Sequence, residues 1–421
     1  MPTLLMITPE NREIKAFRAK QMNNFSQLTM PYLAGFVPPQ YQITLIDEYN
    51  QQVPYKYFDL VAITVNTPNA PHIYAMAKQF RDLGAWVILG GPHVTLLPEE
   101  ARAHADTIFV GEAEETWPSF LHDFLGNNQK AVYTCHAPPS LSGLPLPRRD
   151  LVHRHWLTKG AVFASRGCPH TCSYCCLKQI YCPQFRTRPI AEVVRDIASI
   201  PNRHFVFWDD NFFAQPEYTK ALLKEMIPLK KSWAAQVTAH SCMDEELLRL
   251  ARQSGCLYLF LGLESFSAAG LQHANKSFNP LDHYAKIIDL IHNYGISVQA
   301  GIVFGFDSDT PQIFDDTLRI CEDLGLDGAT VSLLTPFPGT ELYHQFQQQN
   351  RLLPVDWSYY NGKTRVAFQP QQMTPDQLMA GYNHFRRRFF AWPSIFKRLS
   401  KSRTNLGYNL VMNWGYRPPR R

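Results

Sequence analysis

The first 134 residues of this 421-residue sequence contain no cysteine. All nine cysteines follow, beginning with Cys135, so a cysteine-ligated metal cluster in the amino-terminal third is excluded. A secretory signal is also lacking, because the short apolar stretch MPTLLMIT passes directly into the polar PENREIK. These features predict a cytoplasmic protein, in which clustered cysteines act as metal ligands or catalytic groups more often than as disulfides.

Long apolar runs are missing, and so are acidic residues near the carboxyl end. No apolar stretch approaches the roughly 20 residues that a membrane-spanning helix needs. The segment Phe385–Arg421 contains ten Lys or Arg and no Asp or Glu; since the net charge of the chain is +5, the preceding residues have a net charge of −5. The positive net charge therefore comes from the carboxyl-terminal segment and says little about the partners of the rest of the chain.

The length predicts two or three domains, and the first spans residues 1–135. In it, five short strand-like runs alternate with helical patterns, which predicts a parallel α/β sheet of the Rossmann type. Ligands of such sheets bind at the carboxyl ends of the strands. Small or polar residues stand at those ends: Thr64, Asn66, Gly90, Gly91, Pro92, His93, Gly111 and Glu112.

A proline-rich segment, 136–155, is predicted to be a linker. After it, residues 156–345 contain six further strand–helix units. Six is fewer than the eight of a closed (βα)₈ barrel, so an open, partial barrel is predicted. Residues 346–421 form a third part, a small and mostly helical extension rich in aromatic and basic residues.

Three cysteines, Cys168, Cys172 and Cys175, follow the first barrel strand in the spacing CxxxCxxC. A structural zinc site takes four ligands, so three fit zinc poorly unless Cys176, Cys182 or His170 supplies the fourth. An iron–sulfur cluster prefers thiolates, and a [4Fe–4S] cluster held by three of them keeps one iron open for a small molecule. Unligated core cysteines are the remaining alternative.

The CxxxCxxC loop at the start of a six-unit barrel resembles that of the radical S-adenosylmethionine (SAM) enzymes. Tyr174 stands where that family has an aromatic or apolar residue, and further motifs follow at successive strand ends: WDDN at 208–211, GLES at 262–265, GIVFG at 301–305 and TPFPGT at 335–340. The resemblance covers about 160–340. It implies SAM contacts by Tyr174, Asp209, Asp210, Glu264, Ser265, Gly301 and Thr335.

The resemblance also implies the chemistry. Cys168, Cys172 and Cys175 would hold a [4Fe–4S] cluster whose open iron binds SAM. One electron, from a donor such as flavodoxin or ferredoxin, would then cleave SAM to methionine and a 5′-deoxyadenosyl radical, which abstracts hydrogen from an unactivated carbon of a small-molecule substrate. A non-catalytic iron–sulfur or zinc module is the alternative from another class. The ordered motifs at the strand ends argue against it.

The stretch GGPHVTLLPEEARAHADTIFVGEAEETWPSF (90–120) resembles the cobalamin-binding domain of cobalamin-dependent radical SAM enzymes. This resemblance makes the eight strand-end residues of the first domain cobalamin contacts and implies transfer of a methyl group to an unactivated carbon. A DxHxxG motif, which would supply a histidine to cobalt, is missing; His93 is interpreted as a capping or contact residue. The alternative is a radical SAM oxidoreductase or cyclase whose first domain does not use cobalamin.

The basic tail allows three interpretations: a helical extension packed on the barrel, contact with an anionic membrane surface, and nonspecific binding of nucleic acid. No recognised nucleic-acid module accompanies it, so no specific nucleic-acid partner is expected. Membrane contact would suit a hydrophobic substrate. Two other features stay open. Cys176 and Cys182 are interpreted as core or loop thiols, with a role as proton donor or auxiliary ligand as the alternative. Arg186 and Arg188 lie either on a solvated face or at a helix entry, where they would contact an anion of the active site.

Overall fold

The computed structural model describes residues 1–18, 28–152, 160–181, 184–279, 281–402 and 404–418. The amino-terminal domain contains a sheet of six parallel strands in the order β2-β1-β3-β4-β5-β6. The order of the strands reverses between β1 and β3, and ligands of doubly wound sheets bind at such a point. The strands are β1 Thr3–Thr8, β2 Gln42–Asp47, β3 Leu60–Thr64, β4 Trp86–Gly90, β5 Thr107–Val110 and β6 Val132–Thr134.

Both faces of this sheet are buried, which explains the unbroken apolar run LLMI in β1. Leu5 and Ile7 pack in one cluster that includes Phe80, whereas Leu4 and Met6 pack in the other, which includes Trp117 and Phe120. The helices of the domain are α1 Arg12–Arg18, α2 Thr29–Ala34, α3 Ala70–Asp82, α4 Pro92–Leu96, α5 Pro98–Arg102 and α6 Thr116–Leu125.

The second sheet also has six parallel strands, in the order β14-β13-β12-β11-β10-β7. Its two outer strands do not pair with each other, so the predicted open six-unit barrel is confirmed. A short antiparallel pair, β8 Ser165–Arg166 with β9 Arg186–Thr187, lies beside it. The strands are β7 Gly160–Val162, β10 His204–Phe207, β11 Ser232–Val237, β12 Cys256–Glu264, β13 Ser297–Phe304 and β14 Gly328–Leu333.

Helices between these strands cover the outer face of the barrel sheet and share one large apolar core with it. Their amphipathic sequences follow the periodicity from which they were predicted. The helices are α7 Leu177–Ile180, α8 Ile190–Ser199, α9 Pro216–Met226, α10 Glu245–Gln253, α11 Ala268–His273, α12 Tyr284–Asn293, α13 Ile313–Asp323 and α14 Glu341–Gln348.

The segment predicted to be a linker lies against both domains. Leu141 and Leu144 are buried in a cluster with Tyr32 of the first domain and Phe163 of the barrel. The backbone N–H of Arg148 donates to the carbonyl of Pro31 at 2.8 Å. Apolar contacts and a hydrogen bond therefore hold this segment in place; its residues 153–155 lie outside the described part.

The carboxyl-terminal extension is helical, as predicted, and consists of α15 Pro375–Phe389, α16 Trp392–Ser402 and α17 Leu406–Gly415. The aromatic residues of α15 belong to the barrel core: Tyr382, Phe385 and Phe389 are fully buried, and Phe385 contacts Phe304 of β13 at a ring distance of 5.1 Å. Within the described residues, no helix is long and apolar enough to cross a membrane.

Candidate active site

The loop that carries the CxxxCxxC motif begins directly after β8. Cys168, Cys172 and Cys175 are half-buried, and none of them forms a disulfide. Burial, together with the other thiols of the loop, raises the pKa of Cys175 to about 12. The thiols therefore lie close enough to interact electrostatically, and only a cationic ligand would stabilise them as thiolates.

A [4Fe–4S] cluster fits this donor set better than a single metal ion. In the described part of the chain, no three His, Cys, Asp or Glu side chains converge closely enough to hold one ion. In a [4Fe–4S] cluster each cysteine binds a different iron. Thiols that lie near one another but do not point at one common position therefore fit such a cluster. Cys176 is half-buried like the other three. Cys182 lies outside the described residues.

The segment after α11 fixes the conformation of the cysteine loop. The hydroxyl of Ser173 donates to the carbonyl of His273 at 2.9 Å, and the side-chain amide of Asn275 donates to the carbonyl of Thr171 at 2.9 Å. The ring of His170 stacks on Phe278 at 3.7 Å. The loop is thus attached to residues that directly flank Lys276.

Lys276 forms an ion pair with Glu264 at the carboxyl end of β12, with Nζ 2.6 Å from Oε1. Only 6% of Lys276 is exposed. Burial would lower its pKa, but Glu264 and the nearby Cys172 raise it. The sequence motifs predicted Glu264 but not Lys276. Lys276 lies twelve residues after Glu264, next to the residues that hold the cysteine loop, and this position is the feature that could have indicated it.

The GLE motif has a local structural explanation. A Cβ on Gly262 would lie 2.6 Å from Oε1 of Glu264 and 2.8 Å from Nζ of Lys276. The ion pair therefore packs directly against the main chain of Gly262, where a side chain would not fit. Glu264 itself has a φ of 64°, rare for a residue with a side chain and a mark of local strain. The hydroxyl of Tyr174 also hydrogen-bonds to Glu264, and burial raises its pKa. Glu264 and Tyr174 are therefore neighbours, as two predicted SAM contacts should be.

The two acids of the WDDN motif have different environments. Asp209 is 3% exposed and accepts hydrogen bonds from the backbone N–H of Ala164 at 3.0 Å and of Ser165 at 2.5 Å. Burial raises its pKa to about 7. Asp210 accepts from the N–H of Gly167 at 3.1 Å and lines a cavity. The structure thus presents Asp210 to a ligand, whereas Asp209 braces the first barrel strand.

The other three predicted SAM contacts have structural partners of their own. The hydroxyl of Ser265 accepts from the N–H of Ser267 at 3.1 Å, and that of Thr335 donates to the carbonyl of Leu333 at 3.1 Å. Gly301 lies within β13, where a Cβ would come to 2.9 Å from the ring of Phe260. Their nearest contacts are within the barrel, and none of the three lines the cavity.

A cavity of about 530 Å³ lies at the carboxyl ends of the amino-terminal strands, at the reversal point of the sheet. Its volume lies within the range of ligand-binding sites. Residues of the barrel, among them Ser165, Arg166, Trp208 and Asp210, complete its wall, so the cavity reaches the residues that directly precede the cysteine loop. Seven of the eight residues predicted to contact cobalamin line it: Thr64, Asn66, Gly90, Gly91, Pro92, Gly111 and Glu112.

The eighth, His93, does not line the cavity. Its ring is fully buried, with Nδ1 3.2 Å from the hydroxyl of Thr67 and Nε2 3.3 Å from Oε1 of Glu100. Burial lowers its pKa. Both ring nitrogens thus have partners, which fits the interpretation of His93 as a structural contact rather than a cobalt ligand. The described lining contains no histidine.

Two glycines keep backbone exposed to the cavity. Gly91 has a φ of 107°, and a Cβ there would lie 2.8 Å from the hydroxyl of Thr64. Gly111 has a φ of 86°, and a Cβ added to Gly111 would lie 3.0 Å from the Cβ of Cys135. Positive φ and close neighbours both require glycine at these positions. A broad, flat ligand can therefore approach the main chain, which fits the corrin ring of cobalamin.

A group of charged residues joins the two domains beside the cavity. We call Glu112, Glu114, Arg166 and Arg186 the interdomain ion-pair cluster. Nη1 of Arg166 lies 2.5 Å from both Oε2 of Glu112 and Oε1 of Glu114. Nη2 of Arg186 lies 2.5 Å from Oε1 of Glu112. Two carboxylates thus face two guanidinium groups in a nearly buried setting, and the interpretation of Arg186 as a solvated residue is wrong.

Two atoms of this cluster lack a partner, Nε of Arg186 and Oε2 of Glu114. The hydroxyl of Tyr32 donates to Oε1 of Glu114 at 3.1 Å, but Oε2 of Glu114 is buried without a hydrogen-bond partner. Glu114 lines the cavity. A buried carboxylate oxygen needs a donor, so this atom fits a ligand that presents an N–H group. Arg188, by contrast, has a structural role: it is 1% exposed and donates to Asp196 at 2.9 Å.

Comparisons with known proteins agree with this geometry. Residues 162–321 match the radical SAM superfamily, and residues 44–121 match the B12 binding domain. The chain belongs to the radical SAM superfamily and to its cobalamin-dependent branch, whose cofactors are a [4Fe–4S] cluster, SAM and cobalamin. The predicted family and enzyme class are thereby confirmed.

Individual relatives cover nearly the whole chain. It is 28% identical to bacteriochlorophyllide d C-12(1)-methyltransferase of Chlorobaculum tepidum, over 92% of this chain and 88% of that protein. It is also 28% identical to the C-8(2)-methyltransferase of the same organism, over 79% of each chain. In fold it resembles the radical SAM methyltransferase TsrM of Kitasatospora setae, solved with cobalamin and a [4Fe–4S] cluster, with a TM-score of 0.68 at 16% identity over 92% of this chain and 85% of that one.

Proposed function

We propose that this chain is a C-methyltransferase that delivers a methyl group to an unactivated carbon of a hydrophobic substrate. The observation that carries the proposal is the single cavity bounded by both domains. It extends from the bare backbone at Gly91 to Asp210 and Arg166, which lie next to the cysteine loop. A methyl donor held by the first domain and a radical generated at the second would thus meet in one shared cavity.

The barrel residues would hold the radical-generating cofactors. Cys168, Cys172 and Cys175 would bind the [4Fe–4S] cluster, and SAM bound there would supply the radical that removes a substrate hydrogen. Lys276, a buried cation beside Cys172, would donate a charge-assisted hydrogen bond to the SAM carboxylate. Tyr174 and Glu264 would fix the orientation of SAM. Asp210 would accept from a donor at the barrel end of the cavity.

The first domain would hold cobalamin, which supplies the methyl group. Gly91 and Gly111 would let the corrin pack against the main chain, and the unpaired Oε2 of Glu114 would accept from a side-chain amide of the corrin. The missing DxHxxG motif, together with a described lining that lacks histidine, supports a cobalt without a protein imidazole.

The substrate we propose is a large, flat, hydrophobic molecule. Aromatic and aliphatic side chains dominate the wall of the cavity on both sides, including Met30, Phe109, Trp117, Phe163 and Trp208. Both relatives described above are named for methylation of bacteriochlorophyllides, which are of this kind. A one-electron donor such as flavodoxin or ferredoxin is the other partner that we propose.

The decisive experiment combines cofactor content with labelled methyl transfer. The protein is expressed with hydroxocobalamin and purified without oxygen. We expect about four irons per chain and the absorbance of bound cobalamin. With reductant and methyl-deuterated SAM, a bacteriochlorophyllide-type acceptor should gain one deuterated methyl group, and 5′-deoxyadenosine should be released.

Variants of neighbouring thiols provide the control. Cys168→Ser, Cys172→Ser and Cys175→Ser should each lose the cluster, whereas Cys176→Ser, which changes a thiol of similar burial, should retain it. A single zinc in place of iron would contradict radical chemistry. A protein that contains the cluster but lacks the absorbance of cobalamin, and still releases 5′-deoxyadenosine, would contradict methyl transfer and indicate a radical SAM oxidoreductase or cyclase.

A further inference from the structure

Helix α17 buries a mixed face, on which two asparagines flank Met412, and leaves other large apolar side chains outward. Asn409 and Asn413 are buried, and their side-chain amides donate at 2.6 Å to the Oδ1 and the carbonyl oxygen of Asp327. Val411 and Trp414 are instead 45% and 56% exposed. A surface helix ordinarily buries its apolar residues, so the exposure of a valine and a tryptophan while two asparagines are buried indicates that the outer face has a partner.

The apolar surface continues onto α16. Trp392 and Phe396 are exposed and stack on each other at 5.6 Å. The guanidinium of Arg417, just beyond α17, lies 4.8 Å from the ring of Trp392 and so connects the two helices. Five of the twelve large hydrophobic residues exposed in the described chain lie between 392 and 414, so they form a patch rather than scattered exposure. We call this patch the tail surface; its members are Trp392, Phe396, Leu406, Val411 and Trp414.

Positive charge surrounds the tail surface. The segment Phe385–Arg421 contains ten Lys or Arg and no acidic residue. Three carboxylates of α13 approach it, pairing Asp315 with Arg388, Glu322 with Lys397 and Asp323 with Lys401. Two of the ten, Arg386 and Arg398, are buried. The cations that the described residues expose are Arg387, Arg388, Lys397, Lys401 and Arg417, so five cations against three carboxylates leave the described rim with an excess of positive charge.

We propose that the tail surface docks on the surface of an anionic lipid bilayer. Tryptophan and phenylalanine beside basic residues are the side chains that bind the boundary between headgroups and acyl chains. Each cation near such a surface adds attraction to acidic headgroups. The geometry describes attachment from one side, with α16 and α17 lying along the membrane and the barrel remaining outside it.

The same charges disfavour a second copy of the chain as the occupant. A two-fold interface places identical patches against each other, so the cations of one tail surface would face those of its copy. Like charges across an interface are repulsive and oppose association. An anionic lipid surface is complementary both to the apolar centre and to the basic rim.

The test is sedimentation of the full chain, with its cluster reconstituted, alongside vesicles. With vesicles that contain one third phosphatidylglycerol, we expect most of the protein in the pellet; with pure phosphatidylcholine, at least a tenfold weaker binding. Raised salt should weaken the binding to the anionic vesicles. Equal binding to both kinds of vesicle, or to neither, would overturn the proposal.

Paired variants locate the contact. Val411→Ser with Trp414→Ser should abolish the binding, because both side chains point away from the protein and can be replaced without loss of core. Leu125→Ser, at an exposed leucine of α6 far along the chain, should leave it unchanged. Retained cluster absorbance and an unchanged melting temperature show that each variant is folded. If ultracentrifugation without lipid shows a dimer that Trp414→Ser dissociates, the tail surface is an interface between copies and the lipid proposal is wrong.

Discussion

Nη1 of Arg166 lies 2.5 Å from Oε2 of Glu112, although the two residues are 54 positions apart and belong to different domains. Arg166 precedes the first cluster cysteine by two residues, and Glu112 follows a strand of the first domain. Their ion pair thus connects the loop that would hold the cluster with the loops that would hold cobalamin. The distance between two cofactors held by these loops would therefore depend on this contact.

Replacement of Arg166 by Met should destabilise the protein and release cobalamin. Glu112 and Glu114 would keep their charge in a nearly buried place with only Arg186 nearby, a loss of about 3–5 kcal/mol. Urea unfolding and the ratio of bound cobalamin to protein measure the two effects. Arg148→Met is the matched control: its pair with Asp150 is exposed and should contribute less than about 1 kcal/mol. Equal stability of the two variants would refute the role of the interdomain pair.

Replacement of Lys276 by Met should weaken SAM binding roughly 10- to 100-fold, because a charge-assisted hydrogen bond contributes about 1.5–3 kcal/mol. Equilibrium dialysis against labelled SAM, without oxygen, measures this loss. The double variant Lys276→Met/Glu264→Gln removes the unpaired buried carboxylate and should recover stability but not SAM affinity. Unchanged SAM affinity in the single variant would show that Lys276 serves only to neutralise Glu264.

Replacement of Gly91 by Ala tests the backbone at the cavity. Gly91 has a φ of 107° and a ψ of −176°, a combination that essentially only glycine adopts, so the backbone alone should cost about 1–3 kcal/mol, and the contact with Thr64 about 1–3 kcal/mol more. Gly143→Ala separates the effect of the positive φ from that of the close contact. Gly143 has a φ of 75°, but a Cβ there would meet no atom within 4 Å. We expect Gly91→Ala to lower the unfolding free energy more than Gly143→Ala does, and it alone should reduce cobalamin content. Similar losses of stability in both would assign the effect to φ alone.

Asp309 should make stability depend on pH. Its carboxylate accepts from the N–H groups of Gly305 and Phe306, and burial raises its pKa from 3.8 to about 6. The folded state therefore binds the proton more tightly than the unfolded state, and stability falls as pH rises from about 4 to about 6. Above that window the charged group costs roughly 2–3 kcal/mol.

In Asp309→Asn this contribution to the pH dependence is absent. Urea unfolding of both proteins at about pH 4 and about pH 8 should show the variant gaining stability relative to the parent as pH rises. The comparison isolates one group, because all other titrating residues are common to both proteins. Parallel pH profiles would show that the Asp309 carboxyl is not perturbed.

Sequence periodicity predicted nearly all strands of both sheets, because buried parallel strands are short, continuous apolar runs between helices. It missed β6, whose three residues are too few to show a period. It also predicted a linker where Leu141 and Leu144 are buried. Proline marks the irregular backbone of that segment correctly, but whether such a segment packs depends on surfaces brought to it by tertiary structure.

The candidate site was predictable where one short motif contains the chemistry, as in the CxxxCxxC loop and the glycines at the strand ends. It was less predictable where the partner is distant in sequence. Nothing in the WDDN motif distinguishes Asp209, which binds the backbone of Ala164 and Ser165 just after β7, from Asp210, which lines the cavity. Lys276 and Arg166 stand outside the motifs, and only the fold brings them to Glu264 and Glu112.

The cluster of Tyr32, Leu141, Leu144 and Phe163 has a consequence for building hybrid enzymes. It draws one residue from each domain and two from the segment between them, so a junction placed within 136–155 would separate side chains that pack as a unit. Exchange of the cobalamin domain between relatives should succeed when these four positions are transferred together. In such chimaeras this apolar cluster has to be exchanged as a whole, and the domain boundary predicted from the sequence would divide it.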